Sequence, residues 1–158
     1  MRKIAEAVTL LLVVITVGTT AYAVFGPHPL PDRIPTHFDA AGNPNGWGHP
    51  AMLWLLPLVS TVIYLLMTWV SRFPAAFNFP MRTTAASRSR MEAIALQMIS
   101  WLKLEVAALF AWIQYQTIAL ARNGHGSLSP LFLPLVLVVI FGIIGGHIVA
   151  MRRAARSR

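Results

Sequence analysis

The 158-residue chain is 56% hydrophobic and 11% charged, and its mean hydropathy of +0.63 lies beyond that of ordinary soluble domains. With no cysteine, disulfides, thiolate catalysis and Cys-ligated zinc are excluded. The net charge of +8 sits in basic clusters beside apolar runs, which fits membrane topology and not nucleic-acid binding.

The first apolar run, residues 4–25, contains LLVVITVGTTAYAVF and is interrupted near its start only by Glu6. It is long enough to cross a hydrocarbon core of about 30 Å. Arg2, Lys3 and the small-x-small triplet Ala21-Tyr22-Ala23 also fit a signal peptide, but the length of the apolar stretch favours a span. A second span is expected at 51–71, with Pro57 in its first two turns, where lost backbone bonding is easily re-satisfied. The third, 92–121, contains Lys103 and Glu105, and the fourth, 131–151, ends abruptly at Arg152. The expected fold is therefore an all-α membrane protein: one domain, residues 1–158, forming an antiparallel bundle of four transmembrane helices with an ordered loop between the first two.

Orientation follows from the basic residues, because cytoplasmic flanks retain Lys and Arg during insertion. Arg2, Lys3, Arg72, Arg82, Arg88, Arg90, Arg152, Arg153, Arg156 and Arg158 fall on one side, and only Arg33 and Arg122 on the other. That distribution puts both termini and the loop 72–91 in the cytoplasm, and residues 26–50 and 122–130 outside. The segment 81–90, with Thr83, Thr84, Ser87 and Ser89, reads as a flexible polar connection able to contact a cytosolic partner.

The outer loop, GPHPLPDRIPTHFDAAGNPNGWGHP, is rich in proline and glycine, and Asn43-Pro44 and Asn45-Gly46 are turn dipeptides. Phe38 and Trp47 suit the headgroup level. His28, Asp32, His37, Asp39 and His49 offer imidazole and carboxylate donors, and His37-x-Asp39 on an extended segment would point both side chains to one face. His37, Asp39 and His49 are thus candidate ligands for zinc or another divalent metal and the basis of an alternative, metal-dependent enzyme. The plainer expectation is that His37 and Asp39 cap turns, since no recognised zincin spacing is present. Asp39, Asn43 and Asn45 resemble a calcium loop that lacks its closing Glu.

The stretch LPDRIPTHFDAAGNPNGWG resembles the signature of a bacterial membrane family, domain of unknown function 1648, centred on IP-x-HF, a glycine-containing turn and GWG. Pro35, His37, Phe38, Asp39, Gly42, Gly46 and Trp47 carry the likeness. Arg72-Phe73-Pro74, Asn78-Phe79-Pro80, Trp101-Leu102-Lys103-Leu104-Glu105 and Tyr115-Gln116-Thr117-Ile118 resemble later segments of family members. The same domain begins SdpI-type immunity proteins, which protect bacteria against a secreted toxic peptide and recruit a repressor to the membrane. The resemblance implies a bacterial plasma-membrane protein with a role in peptide immunity or signalling.

Lys103 and Glu105 each cost about 2.5 to 3.5 kcal/mol at the centre of a span, so neither should face lipid. They lie about 200° apart on a helix and cannot pair directly. Lys103 shares a face with Gln114 and Glu92, and Glu105 with Gln116, so the third span should be surrounded by protein. Thr16, Ser60 and Thr61 are expected at similar depth as hydrogen-bond partners. Lys103, Glu105, Gln114, Gln116 and Thr16 are accordingly the candidate polar cavity. A buried network that merely fixes packing is the competing reading. Gly142 and Gly146 form a GxxxG pattern suited to close helix approach, including a homodimer. His147 is one turn from the arginines and is expected to bond a neighbour or reach headgroups. The function expected from these features is non-enzymatic: binding or sensing a small molecule or peptide that acts on the envelope. A small transporter subunit is a further alternative, although no inverted repeat is evident.

Overall fold

In the computed structural model, residues 2–79, 81 and 84–156 are described; Pro80, Arg82, Thr83 and Arg158, which enter the sequence arguments, lie outside them. The chain runs α1 (Arg2–Phe25), β1 (Ile34–Phe38), β2 (Pro44–Gly48), a short 3-10 helix (Pro50–Trp54), α2 (Leu55–Val70), a 3-10 turn (Pro74–Ala76), α3 (Ala85–Asn123) and α4 (Phe132–Arg156). Among the described residues, four helical stretches are long and apolar enough to cross a membrane. They form a four-helix bundle in which helices consecutive in sequence are antiparallel. One end carries both termini, and the other carries the β-hairpin.

The centre of the bundle is α3, which packs along α1, α2 and α4. In lipid there is little hydrophobic gain from joining two apolar helices, so close packing and hydrogen bonds must hold them. The sequence of α1 meets that need with a stripe of small or short buried residues, Ala5, Thr9, Val13, Thr16, Thr20 and Ala23, spaced three or four apart. Threonine is a modest helix former, but Thr9, Thr16 and Thr20 each donate to the carbonyl four residues back, at 2.7 to 2.8 Å. Their hydroxyls are thereby satisfied and can be buried against α3, which answers with Ser100, Gln114 and Ala121. These two helices run parallel to each other.

The third helix begins about two turns before residue 92. Thr84 caps it, its side chain accepting from the Ser87 N–H while the Ser87 hydroxyl accepts from the Thr84 N–H. An i,i+4 ion pair, Arg88–Glu92 at 3.0 Å, supports the same turns. Glu92 is therefore committed to Arg88 and not to the Lys103 face. The described part of the connection read as flexible is folded: Arg88 also donates to the Ala75 carbonyl at 2.6 Å and lies over the Phe79 ring. Met91, Ala95 and Met151 close this end as a small apolar cluster with Phe77, Phe79 and Met81 packed against it. At about 1.5 Å per residue, the 39 residues of α3 extend about 58 Å, nearly twice the hydrocarbon thickness.

The fourth helix lies outside the α1–α2–α3 cluster and packs mainly on α3, fixed at the hairpin end by the stacking of Phe132 on Trp112. Around Gly142 and Gly146 an added Cβ would meet nothing within 4 Å. Among the described residues, then, no helix of the chain uses the close approach these glycines permit. His147 bonds the Ile143 carbonyl of its own helix at 2.8 Å.

Candidate functional site

The proline- and glycine-rich segment is more regular than a series of bends: it is an antiparallel hairpin with an irregular register, Ile34 opposite Gly48, Pro35 opposite Trp47, His37 opposite Gly46 and Phe38 opposite Pro44. Its inner side is set by Ile34, fully buried against Ala23, Leu53 and Ala121, with Pro35 buried beside it. The hairpin thus seats on the ends of α1 and α3. Phe38 is partly covered and Trp47 is half exposed, consistent in exposure with an interfacial position.

The hairpin turn is closed by Asp39, whose N–H donates to the Asn43 carbonyl and whose carboxylate accepts from the Asn43 N–H at 2.8 Å. The Gly42 N–H returns to the Asp39 carbonyl, and the Gly42 carbonyl accepts from the Leu128 N–H at 2.8 Å. This last bond ties the hairpin to the connection between α3 and α4. Gly46 faces His37, and a Cβ there would come within 2.9 Å of the His37 Cβ. The signature residues are therefore mainly the parts of a tightly docked hairpin.

The three candidate metal ligands are not gathered by that hairpin. His37 Nδ1 pairs with Asn45 Oδ1 at 2.5 Å, Asp39 is bound within its own turn, and His49 Nδ1 accepts from the Ala51 N–H to cap the 3-10 helix. Among the described residues no group of three or more His, Asp or Glu is placed to hold a metal ion. Turn and helix capping compete for the same donor atoms, and local geometry gives each residue a partner within eight positions.

The polar residues of α3 divide between the two ends of the bundle. Lys103, 2% exposed, reaches Glu6 of α1, at 2.5 and 2.6 Å from its two carboxylate oxygens, and the Thr68 hydroxyl of α2 at 3.2 Å. Ser100 donates to the same carboxylate at 3.0 Å, and the Tyr64 ring lies 5.1 Å from the ammonium. A polar cavity of about 210 Å³ adjoins them, lined by Arg2, Ser71 and Leu96 as well. Lys103 consequently belongs to the terminal end and not to mid-depth. Thr16, Ser60 and Thr61 are not its partners; Thr16 and Thr61 bond carbonyls of their own helices.

Gln114 shares the Lys103 face but acts near the hairpin, donating from Nε2 to Thr20 Oγ1 at 2.6 Å and to the Leu53 carbonyl at 3.1 Å. One amide thus joins α3, α1 and the 3-10 helix that leads into α2. Its Oε1 is buried without a partner. Gln114→Leu should lower stability by about 1 kcal/mol, the scale of interhelical hydrogen bonds in membranes, as read by SDS-induced unfolding in mixed micelles. The second seam is not completed: both Glu105 carboxylate oxygens are buried and unpartnered, and Gln116 is partly buried.

A feature absent from the sequence reading lies between α1 and α3 at the hairpin end. It is a groove of about 610 Å³, walled by residues that include Gly18, Ala111 and Ala119, whose small size opens it, and Ile15, Tyr115 and Ile118. Thr16 and Thr19 also line it, but both hydroxyls donate to carbonyls of α1. Arg122 stands at one end, its guanidinium 5.9 Å from the centre of the Tyr22 ring. No ion pair joins Arg122 to a carboxylate among the described residues.

These elements define a multi-pass membrane protein with a hairpin clamped on one end and a groove between α1 and α3. Residues 11–61 match the family model described as domain of unknown function (DUF1648). No curated protein and no solved structure matches the chain. The matched segment supplies most of α1, the whole hairpin and the start of α2, whereas Lys103, Gln114 and Arg122 lie beyond it.

Proposed function

We propose that the chain is a non-enzymatic protein of the bacterial plasma membrane, with both termini cytoplasmic, that binds or senses an envelope-active molecule through the groove between α1 and α3. Peptide-toxin immunity and signalling are the roles this reading accommodates. The observation that carries it is the groove itself: apolar walls whose threonine hydroxyls are already satisfied, ending in a cation with no acidic partner among the described residues. Such a surface suits an amphiphile, whose apolar part replaces lipid contacts while its polar part stays at the interface. The orientation rests on the excess of basic residues at the terminal end.

Gly18→Leu tests the reading, because an added Cβ meets nothing within 4 Å and the larger side chain fills the groove without disturbing the helix pair. With p-benzoylphenylalanine in place of Tyr115, irradiated cells should yield a discrete adduct, reduced at least about fivefold by Gly18→Leu at equal protein level, the equivalent of losing about 1 kcal/mol of contact. An adduct pattern unchanged by that substitution would rule the groove out as a binding site.

A further inference from the structure

From the same groove, and resting on its reading as a binding site, we infer the class of its occupant: an anionic phospholipid of the leaflet at the hairpin end, with its phosphate on Arg122 and one acyl chain along α1 and α3.

Three properties of the groove select this chemistry. The first is length. From Arg122 to Ala111 the wall spans eleven residues of α3, about 16 Å of helix axis, which is about half of a 30 Å hydrocarbon core. The groove therefore runs from the interface to the midplane, the reach of a single leaflet.

The second is polarity along that length. Below Arg122 the lining is Ile118, Ala119, Tyr115, Ala111, Ile15 and Gly18, with threonine hydroxyls bonded back to α1. An acyl chain makes no hydrogen-bond demand on such a wall. An extended peptide would leave its own N–H and C=O groups unpaired there, at several kcal/mol each.

The third is the charge at the end. Arg122 is exposed, lies over the Tyr22 ring face and has no carboxylate partner among the described residues. A guanidinium held by an aromatic face keeps its N–H fork free for a phosphate, which it can bind in bidentate fashion. Asn123 beside it adds an amide at headgroup level. Together these features favour a phosphate-bearing lipid with net negative charge over a zwitterionic one.

The experiment uses the full chain with p-benzoylphenylalanine at position 115, reconstituted into vesicles of equal parts phosphatidylglycerol and phosphatidylcholine with identical acyl chains. Mass analysis of the photoadduct should give phosphatidylglycerol in about fivefold excess, the preference expected from one basic side chain near the surface. Arg122→Gln should return the ratio to that of the vesicle, and Gly18→Leu should lower both adducts together. A ratio equal to the vesicle composition in the unsubstituted chain, or an excess that survives Arg122→Gln, would overturn the anionic-lipid assignment. If Gly18→Leu still abolishes a discrete adduct in cells and that adduct is a peptide, the groove remains a binding site and only the lipid assignment falls. If Gly18→Leu changes nothing in either setting, both fall.

Discussion

Gly42→Ala is expected to destabilise the protein by about 3 kcal/mol or more, measured by SDS-induced unfolding in mixed micelles, and to free the hairpin from the loop between α3 and α4. Two independent costs add. Gly42 has φ of +85°, where a residue with a Cβ is strained by about 1 to 3 kcal/mol. The new Cβ would also stand 2.1 Å from the Leu128 carbonyl oxygen, a backbone atom and not the end of a movable side chain. Relief requires the hairpin to withdraw, which breaks the bond from Leu128 N–H to the Gly42 carbonyl and costs about 1 kcal/mol more. Gly142→Ala is the control: its Cβ enters open space, and the helix propensity of alanine favours it slightly. Loss of stability in the control comparable to that in Gly42→Ala would refute the account, since the mechanism depends on the local backbone and not on glycine content.

The spans were legible because a long apolar run has one economical use, and the helices begin and end within five residues of the predicted bounds except at the start of α3. That exception has a physical cause. Thr84, Ser87, Arg88 and Glu92 are all polar, which hydropathy reads as loop, whereas a capping box and an i,i+4 pair make the same residues a helix that projects beyond the hydrocarbon. The hairpin was legible only as turns. Its strands are five residues each and carry two prolines and two glycines, so alternation was too short to read. Its docking depends on Ala23, Leu53 and Ala121, distant in sequence. The groove left no sequence signal because its walls are ordinary residues; it is made by the separation of two helices.

Lys103 was identified as a group in need of a partner, but its partner was missed for a reason that generalises. Glu6 interrupts the first apolar run as anomalously as Lys103 interrupts the third, and the two carry opposite charge. Depth was counted from residues 4 and 92 as though the two were level, which set Lys103 beside Thr16; in the structure Lys103 is level with Glu6, so residue 92 lies beyond the start of α1. The Gln114–Thr20 bond escaped for the same reason, because the α1–α3 pairing is parallel and its offset cannot be read from loop length.

The pairing of Glu6 with Lys103 predicts an asymmetric response to substitution. Lys103 is almost completely enclosed, its side chain 1% exposed, while the Glu6 side chain is 32% exposed. Glu6→Gln therefore leaves an ammonium in a closed site, facing the Thr68 hydroxyl, the Tyr64 ring and a neutral amide. That variant should lose about 3 kcal/mol, the lower end of the cost of orphaning a buried charge. Lys103→Met leaves a carboxylate that keeps the Ser100 bond and part of its hydration, so its loss should be about 1 kcal/mol. Combining Glu6→Leu with Lys103→Met removes both charges and keeps the volume, and it should cost no more than Lys103→Met alone. The order of the three variants in SDS-induced unfolding decides the matter. Additive losses, or a greater loss for Lys103→Met than for Glu6→Gln, would mean that the two groups do not act as a pair in the membrane. The predicted order instead makes the pair a fastener of α1 to α3, with Thr68 bringing in α2. It would also explain why a helix packed through small residues tolerates a lysine: the charge is met inside the bundle before it can meet lipid.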